Sequence, residues 1–530
     1  MALARGDWYF VVCALVMGAF MSVPYVYAAQ QDNYRVAEVW KSKRVRGAYL
    51  TDLVCILVFG GAWAGCWFLS SRIIWGFLIS LFFTIAEVAL YITDYAPKRK
   101  KPLRYTPRAL RAITAGALVS AGAVTAALAL VNGSGTDEYL RYPLFFGLSA
   151  VYPILFSCTL ATINAGERLN NLRYERRTRR ALLAERDLIR IGVTGSFGKT
   201  SVKRALAAML SVRFNVLATP ESYNTPMGIA KTVRELGAEH DVFIAEMGAR
   251  RRGDISRLMR LVRPSHTILT GVNSQHLETF GTREAILREK LKVLDVSAED
   301  GVAVVNDRLK DLPQIRERTA VNIMLAGGDA RSRVHYSDVA VCEDGSAFTL
   351  WFYGTPVECV TRLLGEHNIE DITLAAAMAF RFGVSPEEIR DVIASLSPVP
   401  HRLQLIEGNG IRIIDDTFNS NPDGARRALE TLGLFRGRRV VLTPGMVELG
   451  EDEPAENAAL GRHIADVADV AMLVGGKRAR AINCGLKERG FSGEVRFYRT
   501  LAEAQEDFAK VLRVGDVLLL LNDLPDHYED

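Results

Sequence analysis

At 530 residues, 49% apolar and 24% charged with a formal net charge of +5, the chain can hold two or three domains that each bury a core. The mild charge argues against a nucleic-acid partner, and seven cysteines without close pairing argue against a disulfide framework or a zinc site. Mean hydropathy, +0.10, is high for a soluble enzyme, and the cause is local.

The first third reads as membrane. Apolar stretches Trp8–Tyr27, Asp52–Leu69, Ile73–Ile92, Ala112–Val131 and Pro143–Ile163 each approach the ~20 residues a helix needs to cross the hydrocarbon core. The first lacks the basic flank and small-x-small cleavage site of a signal peptide. Basic residues (Arg35, Lys41, Lys43, Arg44, Arg46; then Lys98–Lys101, Arg104, Arg108, Arg111) fill the loops after the first and third stretches, while Asn132–Glu138 is acidic. Positive loops stay in the cytoplasm, so the N-terminus is expected outside and everything after the fifth span inside, as in a multi-pass inner-membrane protein. Residues 1–165 are thus a transmembrane domain. Residues 166–187 are a basic juxtamembrane linker whose Arg173–Arg180 suits anionic lipid, or else an anionic substrate. Glu87 falls in the third span, where an acid is either functional or snorkels to the interface.

From Asp187 the pattern changes to α/β. Apolar strands at Leu188–Val193, Val242–Glu246, His266–Leu269 and Val302–Val305 alternate with helical segments, predicting a mostly parallel sheet. At its switch point stands Ile191-Gly-Val-Thr-Gly-Ser-Phe-Gly-Lys-Thr-Ser201, a strand, a glycine-rich turn and a helix start. Gly195, Ser196 and Gly198 let backbone N–H groups converge on phosphate, Lys199 neutralises terminal phosphates, Thr200 suits Mg²⁺, and Ser201 extends the cradle. Val193 occupies the place of the usual first glycine, with Gly192 one residue early. Residues 335–362 alternate polar and apolar and read as a β-rich insertion. A new unit starts near Pro398, with strands at Ile411–Ile414, Arg439–Leu442, Val470–Val474 and Val517–Leu521 in a second doubly wound layer.

The displaced glycine, Gly192-x-Thr-Gly-x-x-Gly-Lys-Thr200, resembles the phosphate loop of the Mur ligases, and further segments follow in the family's order. They are Asp241-Val-Phe-Ile-Ala-Glu246, Gly271-Val-Asn-Ser-Gln-His276-Leu-Glu-Thr-Phe-Gly281, Arg288-Glu-Lys290, Gly365-Glu-His-Asn368, Pro400-His-Arg402-Leu, Asp415-Asp416-Thr-Phe-Asn419-Ser-Asn421-Pro and Gly445-Met-Val-Glu-Leu-Gly450. The resemblance is nearest to the branch that adds D-alanyl-D-alanine to the UDP-muramoyl tripeptide of peptidoglycan. It implies an α-helical membrane domain followed by a Mur-ligase central ATP-binding domain, 188–397, and a Rossmann-like C-terminal domain, 398–530.

It also implies roles. Thr200 and Glu246 would hold one Mg²⁺, and His276 with Lys290 a second; an ammonium cannot ligate a metal, so Lys290 would have to be carbamylated. Asn368 would read adenine, Arg402 would close on the phosphates, and Asp416 would sit near the ribose. Read only as residues, His276 is equally a structural histidine, Lys290 a surface lysine, Asp416 a turn acid, Asn419 and Asn421 turn asparagines, and His401 a loop residue. Two segments depart from the nearest branch: Pro444-Gly445-Met446 stands for Gly-Asp-Met, and Leu521-Asn522-Asp523 for a Lys-Gly-Ser stretch. The branch's N-terminal sugar-binding domain has no counterpart, the apolar stretches taking its place.

The expected reaction is ATP-dependent amide formation through an acyl phosphate, joining an amino acid or short peptide to a carboxylate acceptor from envelope synthesis. Placing the site beside membrane lipids favours a lipid-linked acceptor. A transporter or flippase energised by this ATPase, and a catalytically idle scaffold, are the alternatives; a Lys–His metal pair argues against both.

Overall fold

The computed structural model describes residues 7–31, 34–41, 43–66, 72–94, 103–134, 141–185, 187–273, 277–296, 300–317, 322–418, 421–447 and 449–522. The chain divides into two compact units, Met1–Leu172 and Arg173–Asp530.

The first unit is helical: Asp7–Gln31, Val36–Lys41, Lys43–Gly65, Arg72–Asp94, Pro107–Ser134 and the start of Arg141–Ala184. Four of these contain stretches long and apolar enough to cross a membrane, Asp7–Gln31, Val45–Gly65, Pro107–Asn132 and Arg141–Ala184; a fifth carries the shorter apolar run Ile74–Leu90. Helix Asp7–Gln31 packs tightly on Pro107–Ser134 through small residues: a Cβ on Gly18 would lie 2.4 Å from Ser120 Oγ, and one on Gly116 2.3 Å from Ser22 Oγ. Phe10 and Phe77 meet Tyr142 edge-on, and Phe83 meets Phe145 edge-on, beside that seam.

The apolar stretch ends at Ile163, but its helix does not. Residues 164–184 carry no proline and are rich in Leu, Ala, Glu and Arg, strong helix formers, so the helix from Arg141 runs unbroken for 44 residues. Most of the stretch read as a linker is therefore helix. Lys98–Lys101 and the acidic residues of 135–138 lie outside the described residues.

The second unit contains two sheets. In the first, strands β1 (Ile189–Thr194), β2 (Val216–Ala218), β3 (Val242–Glu246), β4 (His266–Leu269), β5 (Val302–Asn306), β6 (Asn322–Gly327), β7 (Val334–Cys342), β8 (Gly345–Phe352) and β9 (Thr355–Thr361) lie in the order β2-β3-β1-β4-β5-β6-β7-β8-β9. β1 to β7 pair in parallel, whereas β7, β8 and β9 form an antiparallel meander. The expected β-rich insertion is thus an extension of the same sheet. Near-continuous apolar runs in β1, β3, β4 and β5 follow from burial on both faces. Helices Lys199–Leu210 and Glu366–Arg381 cover one face and Asp254–Val262 and Arg283–Lys290 the other. The chain leaves β1 to one side and later returns to pair β4 on the other, so the Gly195 turn stands at the switch point.

The second sheet orders β10 (Gln404–Gly408), β11 (Ile411–Asp416), β12 (Arg439–Thr443), β13 (Val470–Val474), β14 (Glu494–Tyr498) and β15 (Val517–Leu521) as β10-β11-β15-β12-β13-β14. Only β10 is antiparallel, a hairpin return into β11. Its two faces carry separate apolar clusters, around Leu429 and Ile482 and around Val440 and Leu518.

Candidate functional site

Strand β1 ends at Thr194, and the next residues turn sharply into helix Lys199–Leu210. Gly198 makes the turn possible: its φ is 71°, and a Cβ there would lie 2.2 Å from an Asp371 carboxylate oxygen. A Cβ on Gly195 would collide with Thr270 Oγ1 at 1.9 Å. Ser196 ties the turn to the segment after β4, its N–H donating to Gly271 O (2.8 Å) and its Oγ accepting from Asn273 N–H (3.0 Å).

Two lysines converge on this loop. Lys199 Nζ donates to Gly195 O (2.9 Å) and Ser196 O (3.3 Å), and Lys290 Nζ, from the end of helix Arg283–Lys290, donates to the same Gly195 O (2.8 Å). Burial, with Arg402 nearby, brings Lys199 down to about 8. Lys290 is 2% exposed, and burial together with the Lys199 charge holds it well below the usual lysine range. Its sequence neighbour Glu289 is committed elsewhere, to Lys292 at 2.6 Å and the Ile255 N–H at 2.8 Å. Lys290 therefore meets a carbonyl and another cation inside the protein.

Beside the loop, Glu246 ends β3, buried at 1% exposure. Thr200 Oγ1 (3.0 Å) and Lys203 Nζ (3.1 Å) donate to one of its oxygens, and Asn224 Nδ2 (3.1 Å) to the other. Lys203 was not singled out from the sequence, although it follows Lys199 by one helical turn. Thr200 and Glu246 together offer a hydroxyl and a carboxylate, the hard oxygen donors Mg²⁺ takes alongside phosphate and water. Among the described residues no three His, Cys, Asp or Glu side chains gather into a metal cage. His276 and Asn419 lie outside the described residues.

A second acidic pair lies under the loop. Glu370 is held by Asn306 (2.7 Å), Arg308 (2.7 Å) and Arg427 (3.0 Å). Burial and the neighbouring Glu370 push Asp371 up to about 7. Reading the residues missed this pair; its signal was two acids inside the apolar run Ile369–Ala379.

The second sheet reaches the same place. Arg402 Nη2 donates to Thr200 Oγ1 (3.3 Å) while its guanidinium stacks 4.6 Å above the Phe418 ring. Asn368 Nδ2 donates to Leu364 O (2.8 Å), and its side chain shares a small cleft with Ser201, Arg204, Leu403 and Arg402. Asp416 ends β11, where it accepts from Leu403 N–H (3.3 Å) and is pushed up to about 7 by burial. His401 is in a turn, as expected, with φ 64°, and it bonds Asp415 at 2.8 Å. Asn421 caps helix Pro422–Gly433 by accepting from Gly424 N–H and accepts from Asn273 Nδ2 at 3.0 Å. The two departing segments also meet, Asn522 Nδ2 donating to Gly445 O at 2.7 Å. A cleft of about 580 Å³ opens beside Asn273, lined by Arg283, Asp423, Arg426, Glu456 and His463.

The sequence matches the Mur ligase middle domain over residues 193–379 and the Mur ligase glutamate ligase domain over 401–522. It is 31% identical over 353 residues to the UDP-N-acetylmuramoyl-tripeptide–D-alanyl-D-alanine ligase of Mycobacterium tuberculosis, covering 62% of this chain and 69% of that enzyme. The Mycobacterium bovis enzyme of the same name is 33% identical over 293 residues, and only 57% of its length is covered. Of solved structures, MurF from Acinetobacter baumannii superposes with a TM-score of 0.62 at 25% identity, covering 68% of this chain and 78% of that one. The MurF ligase of Thermotoga maritima in complex with ADP superposes with a TM-score of 0.60 at 25% identity, covering 67% and 80%. Matched over both α/β domains, the chain belongs to the Mur ligase family of ATP-dependent amide ligases.

Proposed function

We propose that this protein is a membrane-held peptide ligase of cell-wall synthesis, joining an amine to the carboxylate of an envelope precursor through an acyl phosphate. The observation that carries the reading is the meeting of Lys199, Thr200, Glu246, Lys290 and Arg402 around one phosphate loop.

ATP is the co-substrate, its phosphates over the Gly195–Thr200 amides at the helix N-terminus. Mg²⁺ held by Thr200 and Glu246 would neutralise phosphate charge as carboxylate and γ-phosphate come together. Lys199, freed from Gly195 O and Ser196 O, turns its ammonium to the terminal phosphates and pairs with them. Arg402, already on Thr200, adds the second sheet's cation to the same anion and excludes water as the domains close. Lys290, whose charge burial and Lys199 disfavour, fits carbamylation: its unprotonated amine attacks CO₂, an N–H proton is released to solvent, and a carbamate anion is left beside the Lys199 cation. With His276 it would hold a second Mg²⁺.

The relatives' names give UDP-linked tripeptide and D-alanyl-D-alanine as substrates. Apolar helices capable of spanning a bilayer favour a lipid-linked version of that acceptor, with the ATP site in the cytoplasm. Purified full-length protein should release ADP only when acceptor and amine are both present. Assayed side by side, the lipid-linked tripeptide should turn over faster than the UDP-linked one. Efficient turnover of the soluble substrate alone would overturn the lipid-linked assignment, and ADP release without an amine would overturn the ligase.

A further inference from the structure

Four helices of the first unit bring polar side chains into one interior layer. Glu87, on Arg72–Asp94, is 0% exposed, so it does not reach out towards an interface. Among the described residues neither of its carboxylate oxygens has a hydrogen-bond partner. Its electrostatic neighbours are Asp52 on helix Lys43–Gly65 and Ser149 on helix Arg141–Ala184. Tyr25, on Asp7–Gln31, faces both acids. All are buried, and the hydroxyls of Tyr25 and Ser149 also lack a partner. Tyr49, Cys55 and Tyr152 complete the titratable groups around the layer, and no cationic side chain is among those acting on Glu87.

Several buried hydroxyls elsewhere in this interior, and one oxygen of Asp7, have partners. Ser22 Oγ bonds Gly18 O and Tyr152 OH, each at 2.6 Å; Ser80 and Thr84 bond back to the preceding turn at 2.9 Å; Asp7 accepts from Asn132 at 2.8 Å. Orphaned groups concentrate around Glu87. Two adjacent carboxylates in an apolar interior cannot both stay ionised without a compensating cation. Cys55 lies beside the two acids, but among the described residues no three His, Cys, Asp or Glu side chains gather into a cage for a metal ion.

We propose that the layer is a small-cation site, taking up one exchangeable H⁺ or Na⁺ between Glu87 and Asp52 with the Tyr25 and Ser149 hydroxyls completing the oxygen shell. It is independent of the ligase reading, which uses none of these residues.

Dicyclohexylcarbodiimide, which modifies protonated carboxyls in apolar surroundings, is the probe, with full-length protein in detergent and peptide mass spectrometry as the readout. Glu87 should be modified, labelling should fall as pH rises, and Asp52→Asn should move the pH at which it is lost. Protection by NaCl over choline chloride identifies sodium as the occupant; pH-dependent labelling without protection identifies the proton. Glu87→Gln, checked for folding by its melting curve, should lose the adduct and any pH- or sodium-dependent melting of the wild type. Absence of Glu87 labelling at every pH, or labelling indifferent to both pH and sodium, overturns the proposal.

Discussion

Lys199 and Lys290 share one carbonyl, Gly195 O, yet different chemistry is expected of them. Lys199→Ala should abolish ADP release, by at least about a hundredfold, as loss of a preorganised cation at a phosphate does. Its melting temperature should fall by no more than a few degrees, because the two loop hydrogen bonds lost, worth about 1 kcal/mol each, are partly offset by removal of a buried charge. Lys290→Ala should be inactive as well, but short-chain carboxylic acids that fill the vacated space should restore part of the activity; wild-type activity would make Lys290 dispensable. Asp371 gives a pH signature. Burial raises it from 3.8 to about 7, so the folded state keeps a proton that the unfolded state releases. Stability therefore declines as pH rises from 3.8 to about 7 and is level beyond. Asp371→Asn removes that decline. The variant should melt a few degrees above wild type at pH 8, given roughly 2–4 °C per kcal/mol for a domain of this size, and show no gain below pH 4.

At the scale of elements, helix Pro422–Gly433 reaches the first α/β domain through Arg427 on Glu370 and through its N-cap residue. Asn421 both caps it and accepts from Asn273, 148 residues earlier. Asn421→Ala should lower stability by about 1 kcal/mol, seen as a lower melting temperature. Asn421→Ser should recover the cap but not the reach to Asn273, so its stability returns while turnover stays reduced. Most strands were legible because each is an apolar run buried on both faces: His266–Leu269 and Val242–Glu246 have the bounds the pattern predicts. Helix Arg141–Ala184 was harder. Its change from apolar to charged composition reads as an element boundary, but propensity, which is high on both sides of Ile163, decides whether the backbone breaks.

For the whole molecule, the alternating basic loops predict an external N-terminus and a cytoplasmic C-terminus. Single cysteines at positions 3, 134 and 525 in a cysteine-free background should report this in intact cells. An impermeant maleimide should label the first two and spare the third; labelling at 525 would reverse the topology and remove the catalytic domains from ATP. The family domains match this chain from residue 193 onwards, and the Mycobacterium tuberculosis relative covers 62% of it.

What the residues determined by themselves was whatever rests on neighbours in the chain. A glycine-rich turn between an apolar strand and a helix specifies a phosphate cradle wherever it folds, and apolar runs near 20 residues specify helices long enough to cross a bilayer. What only the tertiary structure decided was which groups share an interior. Lys290 meets Gly195 O from 95 residues away, Lys203 settles on Glu246 from 43, and β7 to β9 extend the first sheet. Glu87 lies inside its bundle beside Asp52, although its position near a helix end gave snorkelling equal weight. The reason is physical: the cost or gain of burying a charge depends on the groups that surround it, and those are assembled by packing between elements far apart in sequence.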